Sequence, residues 1–539
     1  MLLFRVFSIP VRFFIALLIY FSWGPLAGGV VTAPVPEFSS PALIPYPSKV
    51  VRGAGEAGFR SVHVKVGPDV PGRDDLMREI KDIFRTSGIQ GSLNSGRAAK
   101  GAMTWELFPD ARMKGEGYDL SVGLGKATVR AGSFGGFFNA LQTLRQLVFN
   151  REGEFAMPVV RISDKPAFVL RGIMLDVGRY YMSPALIKEV MRRLSRYKIN
   201  TLHLHLTDDP AWRMEVKKYP ALTDGAFHWK SRLPGRFYTQ AQLKDLTDYC
   251  ARLNIQVIPE IDMPGHSQPF ARAMKTGMQT EKGVSILKDV VDEAVSLFPG
   301  RFFHMGSDEA HISMKDFIPR MAEHIRGKGK EVVVWSPGGP HDKDSVLMCW
   351  GENEAGARMD KNMKRIDSNG FYIDWADSQS GVYQVFFQQP CEVPQGDDKA
   401  LGAIMPVWCD RNLSSERRVL EQYPFYPCAL TFAERVWRGS ATKRRDYMAQ
   451  LPPRGTDGWK EFREFEQRLA FHRDHFFQGV PFAYVKQADV AWSLVGPFDH
   501  RGKNDTSFEP ERRIAPSYRD GDRILAWKKT PVYGAAVHV

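Results

Sequence analysis

Residues 169–209 read VLRGIMLDVGRYYMSPALIKEVMRRLSRYKINTLHLHLTDD. Two apolar runs, Val169–Val177 and Thr201–Thr207, flank a stretch with helical spacing. Ser183 supplies an N-cap and Pro184 a first-turn proline. Leu186, Val190, Leu194 and Tyr197 then fall on one helical face. Strand, crossover helix, strand is the repeating unit of a parallel sheet.

The same alternation continues downstream. Thr239 and Gln242 stand in capping-box positions before a helix from Gln240. Ile255–Ile261 is the third expected strand, Val284–Leu297 a helix, Phe302–Gly306 the fourth strand and Met314–Arg326 a helix. Glu331–Trp335, Val346–Trp350 and Gly370–Ile373 are the expected fifth to seventh strands. Ala403–Trp408 is the eighth, and a closing helix covers Ala429–Trp437. Eight strands with interleaved helices predict an α/β fold, a (β/α)8 TIM barrel over residues 166–445. The competing architecture is an open doubly wound sheet. No glycine-rich phosphate loop follows the first strand, and polar and aromatic residues gather at many strand ends, which favours the barrel.

Residues 34–165 predict a small α+β domain before the barrel, with strands at Ser61–Val66, Gly117–Val122 and Ala127–Ala131 and a helix at Phe137–Val148. Residues 1–33 have the pattern of a secretory signal. Arg5 and Arg12 precede the apolar run Phe13–Trp23, and small residues follow at Ala27, Gly28 and Gly29. The run is short for a span of about 20 residues, so cleavage after Gly29 or Ala33 is expected rather than a lasting anchor. The expected location is secreted, periplasmic or cell-surface, with no stable membrane span. Residues 446–539 predict a helical segment, Trp459–Phe477, and a partial β-rich accessory region. Its last stretch, Ala535–Val539, is strand-like, either cut short or completing a sheet.

The 539 residues exceed one ordinary domain, and twelve Trp with thirty-five Phe supply a large core. The net charge of +12 invites a nucleic-acid partner, but basic residues are dispersed among acidic ones, so a solvated surface is expected. Five cysteines without a CxxC pair are too sparse for a disulfide scaffold and are expected to be buried thiols.

Chemistry concentrates at the expected strand ends. The fourth strand runs into Ser307-Asp308-Glu309. Two adjacent acids repel each other's charge, which raises one pKa toward the range of a general acid. Taken alone, the pair favours the start of a helix at Ala310. The other rims tip the balance. Arg171, Asp176 and Arg179 belong to the first strand and its loop, and His203, His205, Asp208 and Asp209 to the second. Glu260, Asp262 and His266 follow on the third. Trp335, Trp350, Tyr372, Asp374, Trp408 and Asp410 end the later strands. Aromatic faces beside carboxylates and arginine suit a pyranose. His203 and His205 at i, i+2 could instead ligate a metal. The metal-free expectation is one histidine in the core and the other hydrogen-bonded to rim carboxylates.

These residues resemble glycoside hydrolase family 20, the β-N-acetylhexosaminidases. The resemblance rests on LRGIMLD at 170–176, KINTLHLHLTDD at 198–209, Trp212-Arg213, PEIDMPGH at 259–266, GSDE at 306–309 and AERVW at 433–437, with QTLRQL at 142–147 in the first domain. It implies exo-acting removal of terminal GlcNAc or GalNAc by a retaining, substrate-assisted mechanism without cofactor or metal. By the match, Asp308 would orient the acetamido group and Glu309 would be the general acid and base. Asp208 and His266 would tune Glu309, and Arg171 would bind sugar hydroxyls. Trp335, Trp350 and Trp408 would wall the acetamido pocket, with Tyr372 donating to its oxygen and Asp374 in support. Ser307 stands where glycine is common, and Asp410 where the family usually has glutamate for outer hydroxyls. The expected partner is a glycan, not nucleic acid. A glycan-binding relative without turnover and a metal-dependent barrel hydrolase are the alternatives.

Overall fold

The computed structural model describes residues 41–94, 98–151, 154–351, 359–374, 380–411, 413–421, 423–441, 452, 455–482, 484, 491–493, 517–520 and 523–525. The expected signal and the Ala535–Val539 stretch lie outside these residues. Among the described residues no helix is long and apolar enough to cross a membrane.

The chain forms an α/β barrel preceded by a mixed-sheet domain. The first domain is an eight-stranded sheet with two helices, Arg73–Ser87 and Phe134–Leu147. In the strand Ala102–Pro109 every second residue, Met103, Trp105 and Leu107, is buried, the pattern of a sheet with one covered face. Helix Phe134–Leu147 starts at Ser133, whose hydroxyl accepts from Gly136 N–H at 3.0 Å.

Eight parallel strands close the barrel: Leu170–Asp176, Thr201–His205, Gln256–Glu260, Phe302–His304, Glu331–Ser336, Val346–Cys349, Lys364–Asp367 and Ala400–Val407. The expected seventh strand, Gly370–Ile373, is displaced. The strand is Lys364–Asp367, and Asn369–Phe371 is a 3-10 turn after it. The expected capping box at Thr239 and Gln242 forms. Alternate strand residues, among them Met174, Ile258, Phe302, Val333, Met348, Ile366 and Ile404, fill the barrel interior. All five cysteines are buried as thiols.

The first domain docks beneath the barrel, at the N-terminal ends of its strands. Asp164 accepts from Lys198 Nζ at 3.0 Å, Tyr118 hydroxyl at 2.7 Å and the Trp437 indole at 3.0 Å. Glu116 pairs with Arg171. The helix Asp457–Phe476 clamps the segment at Ala42–Leu43: Arg468 donates to Leu43 O at 2.6 Å and His472 contacts Ala42 O at 2.7 Å. The opposite, C-terminal ends of the barrel strands carry the candidate site residues.

Candidate active site

Register brings the rim residues together. Asp176, His205, Glu260 and His304 are successive Cα partners across the first four strands, each the last residue of its strand. Beyond His304 the backbone turns left-handed, with φ of 68° at Gly306, 86° at Ser307 and 50° at Glu309. Left-handed backbone is costly for residues with a Cβ and gathers at functional sites. Gly306 has a second constraint, since a Cβ there would stand 1.8 Å from Asp262 Oδ1. The turn ends strand alternation before the acid pair. Asp308 sits deep beside Asp262 and His266, and Glu309 stands out with its side chain 59% exposed. No helix starts at Ala310; the next begins at Phe317.

A charge network joins the rims. The Arg179 guanidinium reaches Asp176 at 3.0 Å, Asp208 at 3.1 Å and Asp410 at 3.4 Å, and lies 4.8 Å from the Trp408 ring centroid. His266 spans Asp208 at 3.5 Å and Glu309 at 3.4 Å. Burial disfavours its charge, but the contacts with Asp208 and Glu309 and the field of Asp262 raise its pKa to about 12. Burial likewise opposes the Asp208 charge. Arg179, His205 and His266 outweigh it and hold the carboxyl well below the usual range. Asp308 goes the other way. Burial first, then the negative field of Glu260, pushes it up to about 7, against the lowering effect of His266.

Aromatic rings line the centre. Trp335 and Trp408 centroids are 5.8 Å apart and Tyr372 and Trp408 6.4 Å apart. The Trp408 indole hydrogen-bonds the Tyr372 hydroxyl, whose pKa is raised by burial and by the nearby Asp374 and Asp308. Trp335 is a floor more than a wall, buried with its indole N–H on Glu260 at 2.7 Å. Half-buried Trp350 packs on the same interior cluster and donates to Pro337 O at 2.8 Å.

One expectation fails. Arg171 does not reach the site. It is buried near the start of the first strand, and its guanidinium is spent on Glu116 and the carbonyls of Lys198 and Phe168, at 2.8 and 2.9 Å for the two carbonyls. The site arginine is Arg179. Its signal in the sequence is its place just past the strand's C-terminal end, where barrel sites form.

The histidines divide their roles. His203 stacks on His304 in the interior, centroids 4.7 Å apart, and burial pushes its pKa down to about 4 despite Glu260. His205 lies between Glu260 at 2.7 Å and Asp208 at 2.8 Å. Ligating atoms of His203, Glu260 and His304 come within 4.8 Å of one another, close enough for a metal. However, the indole N–H of Trp335 can only donate and occupies Glu260 Oε1, so the cluster is built around an anion. Burial opposes the Glu260 charge, and the imidazoles of His205, His304 and His203 overcome it, holding the carboxyl well below its usual pKa.

Residues 40–165 match the model of glycosyl hydrolase family 20 domain 2, and residues 168–284 that of the family's catalytic domain. The catalytic match spans Arg179, Asp208, Glu260 and His266; the acid pair joins them through the geometry above. A β-hexosaminidase of Porphyromonas gingivalis is 31% identical over 61% of this chain and 52% of its own length. One from Vibrio furnissii is 29% identical over 58% and 63%. The chain thus spans about half to three-fifths of these relatives. A mutant Streptomyces plicatus β-hexosaminidase in complex with GlcNAc has the same fold, with a TM-score of 0.68, 24% identity and coverage of 83% of this chain and 96% of that one. Both domain models match in their expected order and on the observed domains, so residues 40–284 carry the domain pair of glycoside hydrolase family 20.

Proposed function

We propose that the chain is an exo-acting β-N-acetylhexosaminidase, hydrolysing terminal non-reducing GlcNAc or GalNAc from glycans with retention, through an oxazolinium formed by the substrate's own acetamido group. The observation that carries this reading is the pair Asp308 and Glu309, adjacent in sequence yet held at different depths of one cleft. A half-buried acid beside an exposed one suits a reaction whose nucleophile belongs to the substrate. The names of the β-hexosaminidase relatives support it.

In the first half-reaction the Asp308 carboxylate accepts the acetamido N–H. The acetamido oxygen bonds to the anomeric carbon as the bond to the leaving oxygen breaks, and Glu309 gives that oxygen its proton. In the second, Glu309 takes a proton from water as the water oxygen bonds to the anomeric carbon and the oxazolinium C–O bond opens. Tyr372 donates to the acetamido oxygen within the Trp335, Trp350 and Trp408 surround, with Asp374 behind it. Arg179 and Asp410 take outer hydroxyls. The pattern of residues 1–33 supports a secreted, periplasmic or cell-surface enzyme.

The test is nitrophenol release from β-GlcNAc and β-GalNAc aryl glycosides by the wild type, Asp308→Ala and Glu309→Ala. Turnover that falls by about 10²–10⁴-fold in the variants is expected. A folded wild type silent on both sugars overturns the reading.

A further inference from the structure

Glu260 is buried in the barrel interior, its carboxylate facing the nitrogens of three imidazoles and one indole. Its Oε1 receives the Trp335 indole N–H at 2.7 Å and lies 3.2 Å from His304 Nδ1. Its Oε2 lies 2.7 Å from His205 Nδ1 and 2.9 Å from His203 Nε2. His205 has a second carboxylate on its other nitrogen, Asp208 Oδ2 at 2.8 Å. A ring with a carboxylate oxygen on each nitrogen carries both protons. Burial disfavours that charge, but Glu260 and Asp208, with Asp176 nearby, hold the ring protonated. The Trp408 ring meets His205 edge-on at 5.1 Å.

The contacts form one alternating chain from core to rim: Glu260, His205, Asp208, His266, Glu309. Within it the oxygens of Asp208 are divided. Oδ2 takes His205 and Arg179, leaving Oδ1 for His266 and the Asp209 N–H. His205 therefore fixes which way Asp208 faces, and Asp208 fixes His266 against Glu309. The other arm of Glu260 fixes the Trp335 ring beneath Trp408.

We infer that Glu260 and His205 are positioning residues that join the general acid–base, through Asp208 and His266, to the acetamido pocket, through Trp335. The inference rests on the hexosaminidase reading and extends it from the rim into the barrel core. Neither residue touches substrate. Their work is to hold the proton-transferring carboxyl and the pocket floor in one frame, and to set the field at both acids of the pair.

A merely structural core would show its loss as lower stability and as equal damage to every substrate. A relay has a different signature. Protonation by Glu309 matters most when the leaving group is poor and least when it is good. His205→Gln removes a positive charge while keeping a donor for Asp208. Less positive charge nearby favours the protonated form of Glu309. The alkaline limb of kcat/KM therefore moves up by about one pH unit. Glu260→Gln removes a negative charge that raises the Asp308 pKa, so the acid limb moves down.

The experiment measures kcat, KM and pH profiles for the wild type and both variants on two β-GlcNAc aryl glycosides, one with an alkyl-substituted phenol and one with dinitrophenol. Expected is a kcat/KM loss of about tenfold or more on the poor leaving group, a clearly smaller loss on the good one, and the two opposite limb shifts. Equal losses on both substrates with unmoved limbs overturn the inference while leaving the hexosaminidase reading intact. An inactive wild type overturns both. Should Glu260→Gln not fold, His205→Gln and Trp335→Phe, which keeps the ring and loses only the N–H, decide the two arms separately.

Discussion

Arg171 and Arg179 belong to one strand and its following loop, yet their guanidinium groups serve opposite ends of the barrel. Arg171 binds Glu116 of the first domain below, and Arg179 binds Asp176, Asp208 and Asp410 above. The two should therefore fail differently. Arg179→Met should cost stability too, since Asp176 and Asp208 are buried, but its mark is a kcat/KM about 10–100-fold lower in the folded fraction, the scale of one or two charge-assisted hydrogen bonds. Arg171→Met takes the guanidinium from Glu116 at the domain junction, leaving it only the Asn254 amide at 2.7 Å and the Asn200 amide at 3.4 Å, and should cost about 3–5 kcal/mol of stability. The fraction that folds should hydrolyse substrate at the wild-type kcat. Thermal unfolding and steady-state kinetics on both variants separate these outcomes.

The raised pKa of Asp308 ties activity and stability together. The carboxylate form is needed to accept the acetamido N–H, so kcat/KM should fall as pH drops through about 7. For stability the sign is the reverse of the usual acid. A carboxyl whose folded pKa lies above its unfolded value of 3.8 binds its proton more tightly when folded. Its contribution is complete below about 3.8 and is lost as pH rises through about 7. Asp308→Asn removes the buried charge. It should be nearly inactive and yet more stable than the wild type at pH 8, by about 1–3 kcal/mol, with the gain vanishing near pH 4. Melting temperatures across that range check it. A constant offset at every pH would contradict the linkage.

Much of this architecture was legible in the chain because a barrel repeats one signal. Each apolar run with a capped helix after it reports a strand, and chemistry at the strand ends follows from parallel register. The failures have physical causes. Lys364-Arg365-Ile366-Asp367 has one apolar residue and no alternation, while Gly370–Ile373 is richer in strand formers. Pairing with Val346–Cys349 overrode propensity there. Arg171 and Arg179 are chemically alike, and only the strand's direction and the docked first domain distinguish them. The left-handed turn through Ser307 and Glu309 had Gly306 as its sole clue. Glu260 looked like one rim acid among several, since its hub of imidazoles and indole comes from three other segments.

Asp410 is held at 3.4 Å from the Arg179 guanidinium, with its side chain half exposed. Its backbone is pinned as well, for Arg232 donates to the carbonyls of Cys409, Asp410 and Arg411. The rim is therefore rigid, and the reach of the carboxylate is set by its side-chain length. Asp410→Glu adds one methylene toward the outer hydroxyls of the sugar. It should change the β-GlcNAc to β-GalNAc ratio of kcat/KM by about 3–30-fold, with stability within about 0.5 kcal/mol of the wild type. An unchanged ratio would show that outer-hydroxyl selection resides elsewhere on the rim.

Glu434 gives the molecule an acid-sensitive joint far from the cleft. The carboxylate is buried on the closing helix Phe425–Arg438 and receives Arg468 at 2.9 Å, Arg438 at 2.9 Å and the Tyr46 N–H at 2.8 Å. Burial opposes its charge, but the two guanidinium groups win and bring its pKa from 4.5 down to about 2. A depressed carboxyl gives its stability above the unfolded pKa and loses it as pH falls. The loss should thus run from about pH 4.5 to about pH 2 and should release the helix Asp457–Phe476 together with the Leu43 segment it clamps. Arg468→Met removes one partner of a buried pair and should cost about 3–5 kcal/mol at pH 7. The double change Glu434→Leu with Arg468→Met should recover part of that cost and should flatten the pH dependence, because the Glu434 carboxylate is then gone from the titration. Denaturant unfolding of the single and double variants at pH 7 and pH 3 measures both effects, and a double variant as acid-sensitive as the wild type would assign the acid transition to another carboxylate.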